Sequence, residues 1–265
     1  MTANRGVAVV TGASSGIGAL YADRLAERGY DLILVARSAD KLVGIAERIR
    51  TRIDRTVDIF PADLTDPTSL AQVEAFLKAR PDITMLVNNA GLGGTQKLVD
   101  ADVDQMTSLI ALNVTAVTRL SYAIVPQFVA RSAGTIVNIA SIVAINPEAL
   151  NGVYGGSKAF VLAFSQSLRH ELAGSGVTVQ VVLPGATATD FWAVAGLPVE
   201  HLPSEIVMRG EDLVDAALLG LDRGEFATIP SLQDGRLYEA YEAARQAMIG
   251  KLSTTTPAPR YRAAA

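Results

Sequence analysis

Gly6-Val7-Ala8-Val9-Val10-Thr11 leads without a break into Gly12-Ala13-Ser14-Ser15-Gly16-Ile17-Gly18, and the reading of this junction decides the fold. The first six residues form a β-branched run, which reads as a short buried strand. From Ile17 the apolar residues fall at helical spacing, at Ile17, Leu20, Tyr21 and Leu25, until Gly29 ends the helix after Arg28. Between strand and helix the glycines are spaced GxxxGxG. Glycine there permits a tight turn, and the N–H groups and dipole at the start of the helix face whatever the turn holds.

The alternation continues outward from this junction. Asp31–Ala36 (DLILVA) reads as a second buried strand, and Ser38 as the N-cap of a helix reaching Arg52. A strand over Thr56–Phe60 and a helix over Thr65–Ala79, opening with Asp66-Pro67, follow. Strands are expected at Ile83–Asn88, Thr135–Ala140 and Val177–Leu183, with a short last one at Phe226–Ile229. Helices fill Asp102–Arg131 (two nearly continuous stretches), Gly152–Ala173 and Gly210–Asp222. The strands are uninterrupted apolar runs rather than alternating ones, the mark of a parallel sheet covered on both faces. The fold class is therefore α/β: a Rossmann-type, doubly wound parallel sheet of about seven strands in three α/β/α layers. With no repeat or internal linker, residues 1–252 read as one domain. Residues 186–209 form a lid over it, and the Pro/Ala-rich stretch 253–265 a mobile tail.

Composition narrows the chemistry. Apolar residues make up 49% of the 265, ample for one large core. There is no cysteine, and the two histidines, His170 and His201, lie far apart. That excludes a thiol nucleophile, a thiolate zinc site and an iron–sulfur cluster, and argues against a metal centre. The formal charge of −4, with no Lys/Arg cluster, gives no general attraction to nucleic acid. No unbroken apolar run reaches the length of a membrane span, and MTANRG at the N-terminus has no leader pattern, so a cytoplasmic setting is expected.

Placed between a strand and a helix, the Gly12–Gly18 turn suits a dinucleotide pyrophosphate. The tip of the second strand bears on which dinucleotide. An acidic residue there would bind a ribose 2′-hydroxyl, but the sequence reads Val35-Ala36-Arg37-Ser38. A guanidinium forms a bidentate pair with phosphate, so Arg37, helped by the Ser14 and Ser15 hydroxyls, points to NADP(H) over NAD(H). Tyr154 and Lys158 stand four apart at the start of the long helix and so share a face. An ammonium beside a phenol is expected to lower the tyrosine's pKa, which would make Tyr154 a general acid for ketone reduction or a base for alcohol oxidation. Ser141 follows the fifth strand, at the edge where ligands bind, and could hold the substrate oxygen.

Thr11–Gly18, Asp63, Asn88-Asn89-Ala90-Gly91, Asn113, Ser141, Tyr154-x-x-x-Lys158 and Pro184-Gly185 occur in the order and spacing of the short-chain dehydrogenase/reductases. The chain resembles the compact, single-domain branch of that family across about residues 5–230, and within it the NADP(H)-preferring ketone and aldehyde reductases. The resemblance implies roles. Gly12, Ser14, Ser15, Gly16, Ile17 and Gly18 would form the phosphate loop, with Arg37 at the 2′-phosphate. Asp63, with Leu64 beside it, would meet the adenine, and Asn89, Ala90 and Gly91 would line the dinucleotide. Tyr154 would be the acid/base, Lys158 would also bind the nicotinamide ribose, and Ser141 would orient the carbonyl. Asn113 would hold a water in a proton relay, while Pro184, Gly185, Thr187 and Thr189 would fix the carboxamide. Homodimers or homotetramers packed through 102–131 and 152–173 are expected on the same ground.

Substrate identity is less legible. Phe191, Trp192, Val194 and Leu197 in the lid, with Ile142, Ala144, Ile145 and Leu150 near Ser141, would make an apolar pocket if they face the crevice. That suits a small hydrophobic ketone, aldehyde or the corresponding alcohol. Gly155-Gly156 would leave room either for a bulky substrate or for a close helix contact. Two other functions stay open: an NADP(H)-binding redox sensor or scaffold without turnover, and an NAD-dependent alcohol dehydrogenase. Retention of Ser141, Tyr154 and Lys158 speaks against the first, and the lack of an acid at Ala36 against the second.

Overall fold

Alternate residues of the first strand, β1 (Val7–Thr11), are buried on opposite faces, because side chains in a strand point to either side in turn. Ala8 and Val10 belong to one apolar cluster and Val7 and Val9 to another. A strand apolar on both faces needs cover on both, which the following helices supply. In the computed structural model, which describes residues 3–262, α1 (Gly16–Glu27) and α2 (Ala39–Arg52) follow β1 and β2 (Asp31–Ala36) on the Ala8/Val10 side. β3 (Val57–Pro61) and α3 (Pro67–Lys78) come next, and α3 covers the other face with Leu70, Val73 and Leu77.

The chain then returns to the middle of the sheet. β4 (Ile83–Asn88) pairs with β1, and after α4 (Val103–Ile110), a π-helical turn (Ala111–Ala116) and α5 (Val117–Ala130) come β5 (Gly134–Ile139), α6 (Gly152–Glu171) and β6 (Val177–Val182). Further on lie β7 (Thr187–Ala188), α7 (Phe191–Val194), β8 (Met208–Arg209), α8 (Gly210–Asp222) and β9 (Ala227–Thr228). The main sheet is parallel, in the order β3-β2-β1-β4-β5-β6-β9. Strand order reverses between β1 and β4, so the crevice at their carboxyl ends is the expected ligand site of such a sheet. The doubly wound α/β fold expected from the sequence is the one observed.

Helix starts follow local chemistry. Asp66 caps α3 by accepting from Ser69 N at 2.7 Å, with Pro67 in the first turn, and Ser38 caps α2. The expected helices across 102–131 are one continuous rod, interrupted only by the π turn. This rod has the length and mean hydropathy (1.5) of a membrane span, yet Leu120, Ile124 and Phe128 pack it against the sheet. Residues 186–209, without period in the sequence, are bracketed by the paired β7 and β8.

The chain divides into two units, Met1–Ser231 and Leu232–Ala265. The first holds the sheet. The second holds α9 (Arg236–Gln246), which the sequence reading did not single out, and none of its helical residues is buried.

Candidate active site

The glycine turn is held from beneath by the loop after β4. Thr11 Oγ1 accepts from the backbone N–H groups of Asn89 and Ala90, both at 3.0 Å. The Asn89 amide donates to the carbonyl oxygens of Thr11 (2.9 Å) and Gly12 (3.3 Å). The Asn89 side chain thus buttresses the turn. Gly12 has φ +66°, which disfavours any L side chain, and a Cβ on Gly18 would lie 2.3 Å from the Gly12 carbonyl oxygen. Ser15, the N-cap of α1, makes no side-chain cap hydrogen bond, which leaves the first N–H groups of the helix for an anion.

Arg37 is exposed just past β2 and forms no ion pair among the described residues. Across from it, Asp63 accepts from Thr65 N (2.9 Å) and Thr65 Oγ1 (2.7 Å). These bonds, with the nearby Arg37 charge, hold its carboxyl below the usual carboxylate range. The Leu64 side chain is buried in the core. A groove of about 480 Å³ runs from Ser14, Ser15 and Gly16 past Lys41. Lys41 escaped the sequence reading; its position four residues after Arg37, in the first turn of α2, was the available signal.

The second half of the site gathers at the ends of β5 and β6. Asn151, buried at the start of α6, accepts from Val153 N (2.8 Å) and Tyr154 N (3.4 Å), and donates to the Gln96 carbonyl at 2.6 Å. It fixes the turn that carries Tyr154, and the sequence reading missed it although Asn is a strong N-cap. Lys158, one turn on, donates from Nζ to the Ile139 carbonyl at 3.0 Å, and its ammonium lies 5.9 Å from the centre of the Tyr154 ring. Ser141 Oγ donates to the Pro184 carbonyl at 3.4 Å and accepts from Val143 N at 3.3 Å. The Ser141 hydroxyl lies beside the Tyr154 phenol and favours its charged form.

Asn113 lies in the π turn, buried. Its Oδ1 accepts from Leu92 N at 2.9 Å, and its Nδ2 donates to the Leu92 carbonyl (2.9 Å) and to Ser157 Oγ (3.0 Å). A Cβ on Gly91 would fall 3.2 Å from Asn113 Oδ1 and 3.4 Å from Lys158 Nζ, so Gly91, Asn113 and Lys158 share one space. Ser141, Tyr154, Lys158 and Asn113, far apart in sequence, come together at the crevice.

One electrostatic expectation is reversed. The Tyr154 phenol is not lowered: burial pushes it up to about 12, with the Ser141 hydroxyl opposing. Burial likewise brings Lys158 down to about 8. Removing each charge from water outweighs the attraction between ammonium and phenolate.

The segment after β6 also takes part. Thr187 Oγ1 donates to the Gly185 carbonyl (3.0 Å), and Thr189 faces the glycine turn, where a Cβ on Gly16 would come within 3.3 Å of it. The Trp192 indole N–H donates to the Thr187 carbonyl at 3.0 Å, while the Phe191 ring lies 5.9 Å from that of Tyr154. The side chain of Val194 lies outside the described residues. Gly155 packs against Pro147, where a Cβ would meet Pro147 Cβ at 3.0 Å, whereas nothing lies within 4 Å of one on Gly156. The first glycine therefore serves a close contact.

A dinucleotide fits this donor set: the uncapped start of α1 at a glycine turn, a guanidinium just past β2 with no ion pair among the described residues, and the Lys158 ammonium beside Gly91. Residues 6–197 match the short chain dehydrogenase family model. A short-chain dehydrogenase from Sphingobium yanoikuyae, solved in complex with NADPH, is 46% identical, with a TM-score of 0.94 over 97% of this chain and all of that one. A bulky-bulky ketone specific alcohol dehydrogenase from Comamonas testosteroni is 41% identical, with a TM-score of 0.89 over 97% of this chain and 99% of that one. A sulfoacetaldehyde reductase from Chromohalobacter salexigens is 33% identical across 83% of this chain and 87% of its own length. The chain belongs to the short-chain dehydrogenase/reductase family, and is an oxidoreductase acting on CH–OH groups with a nicotinamide dinucleotide.

Proposed function

We propose that this protein reduces a hydrophobic ketone or aldehyde with NADPH. The observation that carries the reading is the convergence of Ser141, Tyr154 and Lys158 at the mouth of a crevice whose other half is the glycine turn. A bound nicotinamide dinucleotide would supply the hydride. Ser141 and Tyr154 hold the carbonyl oxygen between two hydroxyls. Burial keeps Tyr154 protonated at neutral pH, so it enters the reaction as a proton donor. The Lys158 ammonium, charged below about pH 8, steadies the phenolate left behind.

Arg37, with Ser14, Ser15 and Lys41, holds the 2′-phosphate in this reading. Gly12 and Gly16–Gly18 hold the pyrophosphate. Asp63 and the Leu64 backbone meet the adenine, Ala90 and Gly91 line the ribose side, and Pro184, Gly185, Thr187 and Thr189 meet the carboxamide. Asn113 joins Lys158 to a proton path. NADPH in the related structure supports the choice of cofactor. Exposed Ile110 and Tyr122 on α4 and α5, with Phe160 on α6, support association of copies through these helices.

The test is NADPH and NADH oxidation against a panel of ketones and aldehydes, with Tyr154→Phe as control. Turnover with NADPH that falls at least about 100-fold in Tyr154→Phe, with NADPH still bound, is the expected result. Tight NADPH binding with no turnover of any carbonyl would establish a sensor instead.

A further inference from the structure

Phe191 opens α7 and stands against Tyr154, with ring centres 5.9 Å apart and planes inclined by 44°. Its placement is fixed from behind. Trp192 meets it edge-on at 5.7 Å, and Trp192 is itself buried, with its indole N–H on the Thr187 carbonyl. At the far end of α7, the Thr95 hydroxyl donates to the Ala195 carbonyl at 2.6 Å, tying the helix to the loop after β4. That loop leaves room for the ring only because residue 93 is glycine: a Cβ there would lie 2.5 Å from Phe191 Cζ and 2.9 Å from Ala195 Cβ. The short helix is thus pinned at two points while the Phe191 ring stays only half-buried beside the phenol. Leu109, Val143, Leu150 and Val153 complete a wall without a charged side chain.

We propose that Phe191 is the residue that selects the substrate, by packing against an aromatic substituent of the carbonyl compound. The inference rests on the reductase reading above. A carbonyl oxygen that meets the Ser141 and Tyr154 hydroxyls places the substituents of its carbon within reach of a ring already in contact with Tyr154. A flat apolar group gains a tilted or offset partner there, the geometry that aromatic pairs favour. A charged group would lose its water and gain no counter-ion or hydrogen bond. A small aliphatic group would not reach the ring. Trp192 and Thr95 act here as positioning residues for Phe191.

Acetophenone and butanone, reduced with NADPH by the wild type, Phe191→Ala and Phe191→Leu, separate the possibilities. The expected result is that Phe191→Ala raises the acetophenone KM about tenfold more than that of butanone, while the ratio of the two kcat values stays within about twofold of wild type. Phe191→Leu should fall between wild type and Phe191→Ala. Trp192, the sole tryptophan of the chain, adds a readout that needs no turnover: its fluorescence on titration of acetophenone into the protein with NADP+. The dissociation constant so obtained should rise in Phe191→Ala by the same factor as KM. Equal losses for both ketones, or a fall in kcat alone, would mean that Phe191 merely supports Tyr154 and would overturn the inference. Unchanged constants for both would overturn it too. A wild type that reduces neither these two ketones nor any other carbonyl of the panel, yet binds acetophenone in a way that Phe191→Ala weakens, sinks the reductase reading and leaves the Phe191 contact standing. Absence of both turnover and binding sinks both.

Discussion

The Lys158 ammonium donates to the Ile139 carbonyl at 3.0 Å while lying 5.9 Å from the centre of the Tyr154 ring, so one buried cation serves both the end of β5 and the phenol. The two groups titrate away from their ordinary values in opposite directions. Reduction should hold steady at neutral pH and fall as pH rises through about 8, where Lys158 loses its proton. Lys158→Met should lack this limb. A pH–rate series with both proteins checks it.

The same shifts bear on stability. Tyr154 holds its proton more tightly folded than unfolded, so its contribution is whole below about pH 10 and is lost as pH climbs through about 12. The depressed Lys158 does the reverse: its contribution is whole above 10.5 and is lost as pH falls through about 8. Between those two values the wild type should gain stability with pH relative to Lys158→Met. Urea unfolding at the ends of that window measures the difference.

Arg37→Ala should raise the KM for NADPH about 10- to 100-fold, the loss expected for charge-assisted hydrogen bonds to phosphate, and leave the KM for NADH within about twofold. Lys41→Ala should act in the same sense but more weakly, as a point charge with one stem. Initial rates with each cofactor decide both. Equal use of the two cofactors, unaltered by Arg37→Ala, would remove the 2′-phosphate reading.

Two neighbouring helical glycines should respond oppositely. Gly156→Ala meets nothing within 4 Å and should stabilise the protein by about 0.5–1 kcal/mol. Gly155→Ala, forced against Pro147, should destabilise it by about 1–3 kcal/mol. Thermal unfolding of the two variants compares them directly.

Asn151→Ala removes the cap of α6 and the tie to the Gln96 carbonyl, and should destabilise the protein by about 1–2 kcal/mol. The freed first turn carries Tyr154, so kcat should fall further than KM rises. Asn151→Asp, which keeps the cap acceptor, should recover most of the stability. Unfolding and steady-state kinetics together test it.

What the sequence made legible was whatever depends on local pattern. The apolar runs named the strands of the main sheet, Ser38 and Asp66-Pro67 named two helix starts, and the resemblance located Ser141, Tyr154 and Lys158. What it concealed depends on surroundings. The direction of the Tyr154 shift follows from burial, which spacing on a helix does not report. The orientation of Phe191 follows from Gly93 and Trp192, one of them about a hundred residues away. Sequence position likewise does not report that the side chains of Asn89 and Leu64 are engaged with the Thr11–Gly12 backbone and the core, so that only their backbones are left to meet a ligand.

The π turn at Ala111–Ala116 has one more consequence. Buried positions along the rod recur at Leu109, Asn113, Ala116–Val117, Leu120–Ser121, Ala123–Ile124 and Phe128, five turns in 19 residues where an α-helix needs 18. The surplus residue is a phase correction. It lets one stripe keep Leu109 beside Tyr154 and Phe128 beneath the sheet at once. With the surplus removed, the rod would have to forfeit one anchorage to keep the other, so the irregular turn is what allows a single helix to serve both the crevice and the core.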